Sequence, residues 1–289
     1  MKCQPYNIEL LMPCFCSGAD QGQAEIRASS IRGQIRWWFR ALGGSSLDER
    51  KVFGGVAGTA SASSLLLRIK NIEAKTWRLP QKLVNTPESY VYHFAKVSGT
   101  EQPGASGPRW TSSGSLGPQT TFQIEIVQRA PLEPHLQRQA DEAIHCFLEM
   151  GSIGLRATRG LGSFTCIERP LSQKSLDLIS TKGFVHEIRS GSFASHELIA
   201  KEIGKLVKGT RKTEGWTIND KKSTPSPLGT SSSPRQTSAV YFRPIRRAGE
   251  SSLQLLVFQA PDSRVLDPIS RKGSVIGHLS YPPPMARRW

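Results

Sequence analysis

The residues of this sequence that most clearly suggest chemistry are evenly spaced arginines near the N-terminus. In the segment IRGQIRWWFRAL, Arg32, Arg36 and Arg40 recur every four residues, and Arg27 lies just before them. On an α-helix this spacing places the guanidinium groups in one row, where like charges repel each other. The row therefore predicts an anion opposite the helix, either the phosphates of a nucleic acid or the carboxylates of a protein.

A glycine-rich segment, GSIGLRATRGLGSF, contains two further arginines among residues whose backbone can adopt conformations closed to other residue types. Arg156 and Arg159 lie among four glycines, the last of which are Gly160 and Gly162. Glycines allow the backbone to approach a ligand closely, and backbone N–H groups beside arginines can hold phosphates. No Gly-Lys-Ser/Thr follows, as it would in a P-loop, so nucleotide hydrolysis is disfavoured. Phosphate contact and a purely structural turn are the two interpretations of this segment.

Acidic residues that could support metal-dependent chemistry are few. Asp20 falls in the loop CSGADQGQAE, and its nearest acidic neighbours in the sequence are Glu25 and then residues 48–49. Metal-assisted phosphoryl transfer usually needs several converging carboxylates. Cleavage by Asp20 with a divalent metal is therefore a minor hypothesis, and an Asx-type turn is its alternative. Because Cys14 and Cys16 are too close for a zinc knuckle, we expect no metal site and no cofactor.

The elements that must position these residues are predicted in the order strand, helix, strand, strand, helix, strand. Apolar patterning predicts strands in YNIELLMPCF, SLLLRIK, TFQIEIVQ and SFTCIE. One helix is predicted in IRGQIRWWFRAL, with Ser29 or Ser30 as its N-cap and Gly43 and Gly44 as its stop, and another begins near Pro134. The order βαββαβ is that of ferredoxin-like domains and of the RRM family of RNA binders, so the predicted fold class is α+β.

The remaining residues are predicted to form long insertions and a second, basic region. The Gly/Ser/Pro-rich stretch SGTEQPGASGPRWTSSGSLGPQ separates the second and third strands and predicts an insertion. Beyond Pro170 we predict a strand in GFVHEIRS, a helix from about His196 to Lys208, and strands in SAVYFRPI and SLQLLVFQ. Residues 1–170 are thus predicted to form a ferredoxin-like domain, and residues 171–289 either an α+β extension or a degenerate second ferredoxin-like domain.

The charge of the chain favours a polyanionic partner. The formal net charge is +15, and residues 201–289 carry 16 Lys and Arg against 6 Asp and Glu. Such an excess is typical of nucleic-acid binders, so we expect the C-terminal third to contact a phosphate backbone. The five cysteines follow no disulfide framework, and no apolar run is long enough to span a membrane. With no recognisable signal peptide, we expect a cytoplasmic protein without a membrane partner.

Two strings give the sequence a family resemblance. SSIRGQIRWWFRAL, preceded by GAD and followed by KVFGG, resembles the N-terminal signature of the first-subunit family of the Cmr complex, the type III-B CRISPR effector. LRATRGLGSF resembles the glycine-rich loop near the end of ferredoxin-like domains in the RAMP superfamily, to which those subunits belong. Both strings fall within the predicted first domain, and their joint order is more specific than either string alone.

The resemblance implies a prokaryotic RNA-binding subunit of an antiviral ribonucleoprotein, in contact with CRISPR RNA, target RNA and neighbouring RAMP-type Cmr subunits. It implies RNA contact at Arg27, Arg32, Arg36, Arg40, Arg156, Arg159, Gly160 and Gly162. In related backbone subunits, an aspartate in a loop comparable to that of Asp20 cuts target RNA with a divalent metal. Three hypotheses therefore stand: an RNA-binding effector subunit, a metal-dependent endoribonuclease, and an assembly protein whose basic faces meet acidic partners.

Overall fold

Antiparallel sheets and the helices packed on them make up the described part of the chain. The structure, a computed structural model, describes residues 2–20, 22–56, 60–77, 86–92, 115–213, 227–229 and 238–261. Its strands and α-helices are, in chain order, β1 (Lys2–Leu10), β2 (Cys14–Phe15), α1 (Ala28–Ala41), α2 (Ser46–Phe53), β3 (Leu65–Glu73), β4 (Ser115–Leu116), β5 (Thr121–Gln128), α3 (Pro134–Met150), β6 (Phe164–Cys166), α4 (Gln173–Thr181), β7 (Val185–Phe193), α5 (His196–Thr213), β8 (Val240–Ile245) and β9 (Leu253–Gln259).

The first sheet has the strand order β3–β5–β1–β6, and each neighbouring pair is antiparallel. Helices α1 and α3 pack against each other, and both contribute to the hydrophobic core that this sheet forms. The main elements therefore follow one another as β1–α1–β3–β5–α3–β6. This is the ferredoxin-like arrangement, so the predicted α+β fold class and βαββαβ order are confirmed.

Helix α1 forms because its apolar residues recur on one side, as in an amphipathic helix. Ile31 and Ile35 are fully buried, whereas Arg32 between them and Arg36 after them are only partly buried. The predicted N-cap is wrong, because the helix begins earlier, at Ala28, a strong helix former. Arg27 occupies the N-cap position in extended backbone and makes no side-chain capping bond. Ser29 and Ser30 lie inside the first turn instead.

The C-terminal region contains a second antiparallel sheet with the strand order β7–β9–β8. Its elements follow one another along the chain as β7–α5–β8–β9. The last of them, β9, is the central strand of the sheet. The same connections and strand positions occur in β1–α1–β3–β5 of the first sheet. The described C-terminal elements thus have the topology of the first half of a ferredoxin-like domain, while the domain boundary at residue 170 stays a prediction.

The two sheets share helix α1 through aromatic contacts. The ring of Trp38 stacks on Phe184 with centroids 5.7 Å apart and lies 5.5 Å from Phe258 of β9. The neighbouring Trp37 lies 4.9 Å from Tyr241 of β8. The other face of the second sheet packs on α5, so β8 and β9 are buried almost throughout. Both tryptophans are therefore packing residues between the two regions.

Some elements are not predicted by the sequence patterns. Helix α2 begins where Ser45 accepts a hydrogen bond from the N–H of Asp48, and α4 begins where Ser172 accepts from Ser175. One short 3₁₀ turn, Glu88–Tyr90, lies between β3 and β4, and most of the predicted Gly/Ser/Pro-rich insertion falls outside the described residues. Within the described ranges, no helix is long and apolar enough to cross a membrane.

Candidate nucleic-acid interface

The start of helix α1 is an exposed, cationic helix end. Arg27, Ser29 and Ser30 are all solvent-exposed, and the first turn contains no acidic residue and no side-chain cap. The first N–H groups of a helix lack intrahelical partners, and the helix dipole adds partial positive charge at this end. Because backbone donors, hydroxyl groups and a guanidinium group converge there, the helix end suits an anionic oxygen such as that of a phosphate.

The arginine row on α1 has a carboxylate opposite it. Arg36 Nε donates to Glu49 Oε1 at 2.6 Å, and Arg40 Nη1 donates to the same oxygen at 2.5 Å. Arg32 donates to the backbone carbonyl of Phe53. The side chain of Glu49 is 7% exposed, whereas those of Arg36 and Arg40 remain 41% and 42% exposed. One buried carboxylate therefore orients two guanidinium groups, and the pair keeps net positive charge at the surface.

A pocket of about 310 Å³ brings the two predicted motifs together on the other side of α1. Arg27 and Ser30 line it from the helix, and residues 153–155 of the glycine-rich segment face them. Arg156 and Arg159 are not among its lining residues. The structure therefore joins the helix start to the first turn of the glycine-rich segment, but not to that segment's arginines.

The glycines of this segment serve close packing inside the protein. Gly162 has φ +64°, and a Cβ there would lie 1.8 Å from the carbonyl oxygen of Ile153, so only glycine fits. The N–H of Ile153 in turn donates to Gly162 O at 3.0 Å. A Cβ on Gly160 would lie 2.8 Å from Ile203 Cδ1 of α5 and 3.0 Å from Pro244 Cδ of β8. Gly160 thus allows α5 and β8 to approach the segment.

The two arginines of the segment bind protein carbonyl and hydroxyl groups. Arg159 is 5% exposed, and it donates from Nη2 to Leu228 O at 2.5 Å and from Nη1 to Ser238 Oγ at 3.1 Å. Arg156 is partly buried and donates from Nη2 to Tyr90 O at 2.5 Å. Burial lowers the pKa of the Arg159 guanidinium group. Both arginines hold separate stretches of the chain together, and RNA contact at Arg156 and Arg159 stays a prediction.

Tyr90 lies within a cluster of three arginines that sequence patterns do not reveal. The Cζ atoms of Arg156 and Arg159 are 5.4 and 5.9 Å from the centre of its ring. Arg211 of α5 donates to Leu228 O at 3.3 Å, the carbonyl that Arg159 also uses. Burial on its own would raise the pKa of the Tyr90 phenol, but the charges of Arg159, Arg211 and Arg156 outweigh burial and lower that pKa to about 8.

Arg243 is a second buried cation that motif analysis overlooks. It is 2% exposed, and its Nε donates to Met150 O at the C-terminal end of α3 at 2.9 Å. It also donates to Ala157 O in the glycine-rich segment, and its Cζ lies 5.1 Å from the ring of Tyr241. Burial lowers the pKa of Arg243 to about 10. The sequence signal for a buried arginine was its position inside the apolar strand VYFRPI. Because Arg243 is buried, it does not contribute to the exposed cationic surface.

The open face of the first sheet differs from that of an RRM. RRM domains stack bases on aromatic side chains of this face. Here the described strands present polar groups: Gln123 Nε2 donates to Asn7 Oδ1 at 3.3 Å, and Lys70 pairs with Glu125 at 2.8 Å. The outward positions of β1, β3 and β5 in the described chain carry no aromatic residue. The geometry therefore favours α1 over the sheet face as the RNA-contacting surface.

Asp20 takes part in a local turn. Its Oδ1 accepts a hydrogen bond from the N–H of Gly22 at 2.8 Å, which is an Asx-type turn. Two of the acidic residues that follow in the sequence have other contacts, since Asp48 accepts from Ser45 Oγ and Glu49 pairs with the arginine row. Among the residues that the structure describes, no three His, Cys, Asp or Glu side chains are grouped as metal ligands.

A ferredoxin-like sheet, an arginine-bearing first helix and a glycine-rich segment before the last strand of that sheet together define a protein class. The model of the RAMP superfamily matches residues 7–165, which is more than half of the chain, and the chain belongs to that superfamily.

Relatives within the superfamily come from Pyrococcus furiosus. The chain is 26% identical to the CRISPR system Cmr subunit Cmr1-2 over 183 residues, which cover 55% of this chain and 91% of that relative. It is also 26% identical to the Cmr subunit Cmr1-1 over 169 residues, which cover 55% of this chain and 46% of that longer relative.

Solved structures share the fold across nearly the whole chain. The crystal structure of apo Cmr1 from Pyrococcus furiosus has a TM-score of 0.59 at 16% identity and covers 96% of this chain and 92% of its own. A chain of the type III-B Cmr-beta complex, solved with cognate target RNA and AMPPnP in the presence of ssDNA, has a TM-score of 0.53 at 12% identity and covers 89% and 93%. At these identities the likeness concerns the fold.

Proposed function

We propose that this chain is an RNA-binding subunit of a type III-B, Cmr-type CRISPR ribonucleoprotein effector complex. It contacts guide RNA, target RNA or both, and it contacts neighbouring RAMP subunits. Membership of the RAMP superfamily and the similarity to two Cmr subunits support the complex. The exposed start of α1, where Arg27, Ser29 and Ser30 lie at an uncapped helix end whose first turn holds no acidic residue, is the observation that carries the RNA contact.

Binding at this surface is proposed to read the RNA backbone and not its sequence. Phosphates occupy the helix end at Arg27, and the row formed by Arg32, Arg36 and Arg40 continues the positive surface along α1. A complex that must accept any guide delegates sequence recognition to base pairing, as other RNA-guided systems do. Glu49 then acts as a positioning residue, because it fixes the directions of Arg36 and Arg40.

The proposed role is binding without RNA cleavage. The carboxylate of Asp20 is engaged with Gly22 in a turn, which supports a structural role for it over that of a metal ligand. If Asp20 cut RNA, the purified complex would need a divalent metal for cleavage, and Asp20→Ala would abolish it. We also propose that the protein works in the prokaryotic cytoplasm and that residues 171–289 form a degenerate second ferredoxin-like domain, which the β7–α5–β8–β9 topology supports.

Purification of the tagged chain together with its neighbouring genes, followed by sequencing of the bound RNA, tests the proposed function. Short RNAs that share a repeat-derived end are expected in the complex, together with other RAMP-type subunits. A complex with partners but without such RNA would move the assembly-protein hypothesis to the front, and RNase treatment would then leave the partners bound.

The helix-end contact is tested by Arg27→Ala. Loss of one phosphate contact should weaken RNA binding and reduce the slope of log affinity against log salt by about 0.7 for a single strand. Folding stability should change by less than about 0.5 kcal/mol, because Arg27 is exposed. Arg138→Ala is the matched control, since Arg138 is an equally exposed arginine on α3. An unchanged salt slope for Arg27→Ala would contradict the proposed contact.

A further inference from the structure

A cleft of about 1000 Å³ lies beside the arginine row of α1, between α1, α2 and the start of β3. Most of its lining is apolar. The side chains of Phe53 of α2 and of Leu65 and Leu67 of β3 lie behind its walls with 8% or less of their surface exposed, and Val56 stands at its rim with 91% of its surface exposed. A Cβ on Gly33 would meet no atom within 4 Å, so the helix surface here is open to close approach. An apolar cleft with an exposed aliphatic rim indicates a binding surface.

The cleft borders an unpaired sheet edge. β3 is the outermost strand of the first sheet, and within the described chain no strand pairs with its outer side. At the start of this edge, the outward N–H and C=O of Leu65 are both bonded to the hydroxyl group of Ser63. Because strand residues alternate in direction, the backbone groups of Leu67 and Ile69 also point outward. An edge of this kind can accept an extended polypeptide as an additional strand.

The charges around the cleft indicate which side chains a partner would present to it. Arg36 is already paired with Glu49, and Arg32 is bonded to a carbonyl group, so these two arginines are partly satisfied. Arg50 of α2 lines the same cleft and takes part in none of the ion pairs among the described residues. A single guanidinium group beside an apolar floor is complementary to one carboxylate next to an aliphatic side chain.

We infer that this cleft and the edge of β3 bind an extended segment of a neighbouring protein subunit, with an aliphatic residue against Val56 and an acidic residue at Arg50. The free strand edge favours a polypeptide over RNA, because only a polypeptide can pair its backbone N–H and C=O groups with the outer side of β3. The inference rests on the proposed function only in placing the chain inside a multi-subunit complex. The cleft shares Ser29, Arg32 and Arg36 with the proposed RNA surface, whereas RNA contact at Arg27, which does not line the cleft, is independent of the inference.

Site-specific photo-crosslinking in the assembled complex tests the inference. Val56→p-benzoylphenylalanine places the crosslinker at the cleft rim, and Leu198→p-benzoylphenylalanine is the matched control on α5, which does not line the cleft. We expect a protein adduct from position 56 that survives RNase treatment and maps to a peptide with adjacent aliphatic and acidic residues. Amide exchange at Leu67 and Ile69 should slow roughly tenfold or more in the complex relative to the isolated chain.

A charge reversal provides the second test. Arg50→Glu should lower incorporation of the chain into the complex roughly tenfold, a loss of about 1.4 kcal/mol, while RNA binding by the isolated chain stays unchanged. Arg138→Glu makes the same charge change on an exposed surface of α3 and should incorporate normally. An intact complex in which position 56 crosslinks to RNA, or no more than position 198, would overturn the inference. Failure of the proposed function is distinct, because the chain would then bring down neither RNA nor other subunits.

Discussion

The arginines of α1 and those of the glycine-rich segment look alike in the sequence but have different roles in the fold. Arg36 and Arg40 share one carboxylate and keep about two-fifths of their surface exposed, at 41% and 42%. Arg159 is 5% exposed and donates to carbonyl and hydroxyl oxygens of the protein, and Arg156 reaches the carbonyl of Tyr90. An arginine oriented by a buried acid remains available to a ligand, whereas one surrounded by carbonyl groups holds the fold together. Residue type and glycine content alone do not separate these cases.

Gly162→Ala should produce the largest effect, because the glycine-rich segment leaves no room for a side chain. The left-handed backbone alone costs about 1–2 kcal/mol for alanine. The added Cβ would also lie 1.8 Å from Ile153 O, so the backbones at Gly162 and Ile153 would have to move apart. We expect a loss of ~3 kcal/mol or more in the free energy of unfolding, measured by urea denaturation. A loss below about 1 kcal/mol would show that the segment is loosely packed.

Arg159→Ala should also act mainly on stability. Removal of the guanidinium group takes one donor from Leu228 O, which also accepts from Arg211, and one from Ser238 Oγ, and hydrogen bonds from a charged donor contribute about 1.5–3 kcal/mol each. We expect a destabilisation of about 2–4 kcal/mol, with RNA affinity unchanged once the folded fraction is taken into account. Arg159→Lys keeps the positive charge but loses the two-pronged guanidinium group, so its destabilisation should lie between zero and that of Arg159→Ala. Normal stability with weak RNA binding would instead assign Arg159 to the interface.

Tyr90 offers a pH-dependent readout of the arginine cluster. Its folded-state pKa of about 8 lies below the unfolded value of about 10, so the native state loses this proton first. The free energy of unfolding should therefore rise between about pH 8 and pH 10 and lose this contribution as the pH falls through 8. Near-ultraviolet titration should show one early phenolate that Tyr90→Phe removes. Tyr6, whose pKa burial raises to about 12, provides a late-titrating reference.

Gly33→Ala should give the smallest effect and the opposite sign. This glycine lies inside α1 with no atom within 4 Å of the added Cβ, so alanine should stabilise the helix by about 0.5–1 kcal/mol. Thermal denaturation of the isolated chain measures the gain. If the cleft receives a partner at this surface, the same variant should bind that partner less well. Gly33 and Gly162 would then differ as the two groups of arginines do. Gly33 would allow a partner to approach α1, whereas Gly162 allows close packing inside the protein.

The first sheet and both of its helices could be predicted because their apolar periodicities are local. Alternation in β5 and the stripe on α1 specify buried faces without reference to distant residues. The predicted N-cap of α1 was wrong because a helix start without a side-chain cap leaves no capping signature in the sequence. The roles of Arg243 and Tyr90 depend on groups far along the chain, such as Met150 for the first and Arg159 for the second, and no spacing rule encodes such contacts.

The contacts of Trp37 and Trp38 have a consequence for the order of synthesis. Helix α1 is made early, yet Tyr241 and Phe258, which cover its tryptophans, belong to strands made after most of the chain has been translated. Until then one side of the arginine-bearing helix lacks its cover, and exposed aromatic surface is a target for chaperones and proteases. The aromatic side of the cationic helix is therefore covered only on a chain whose C-terminal sheet has folded.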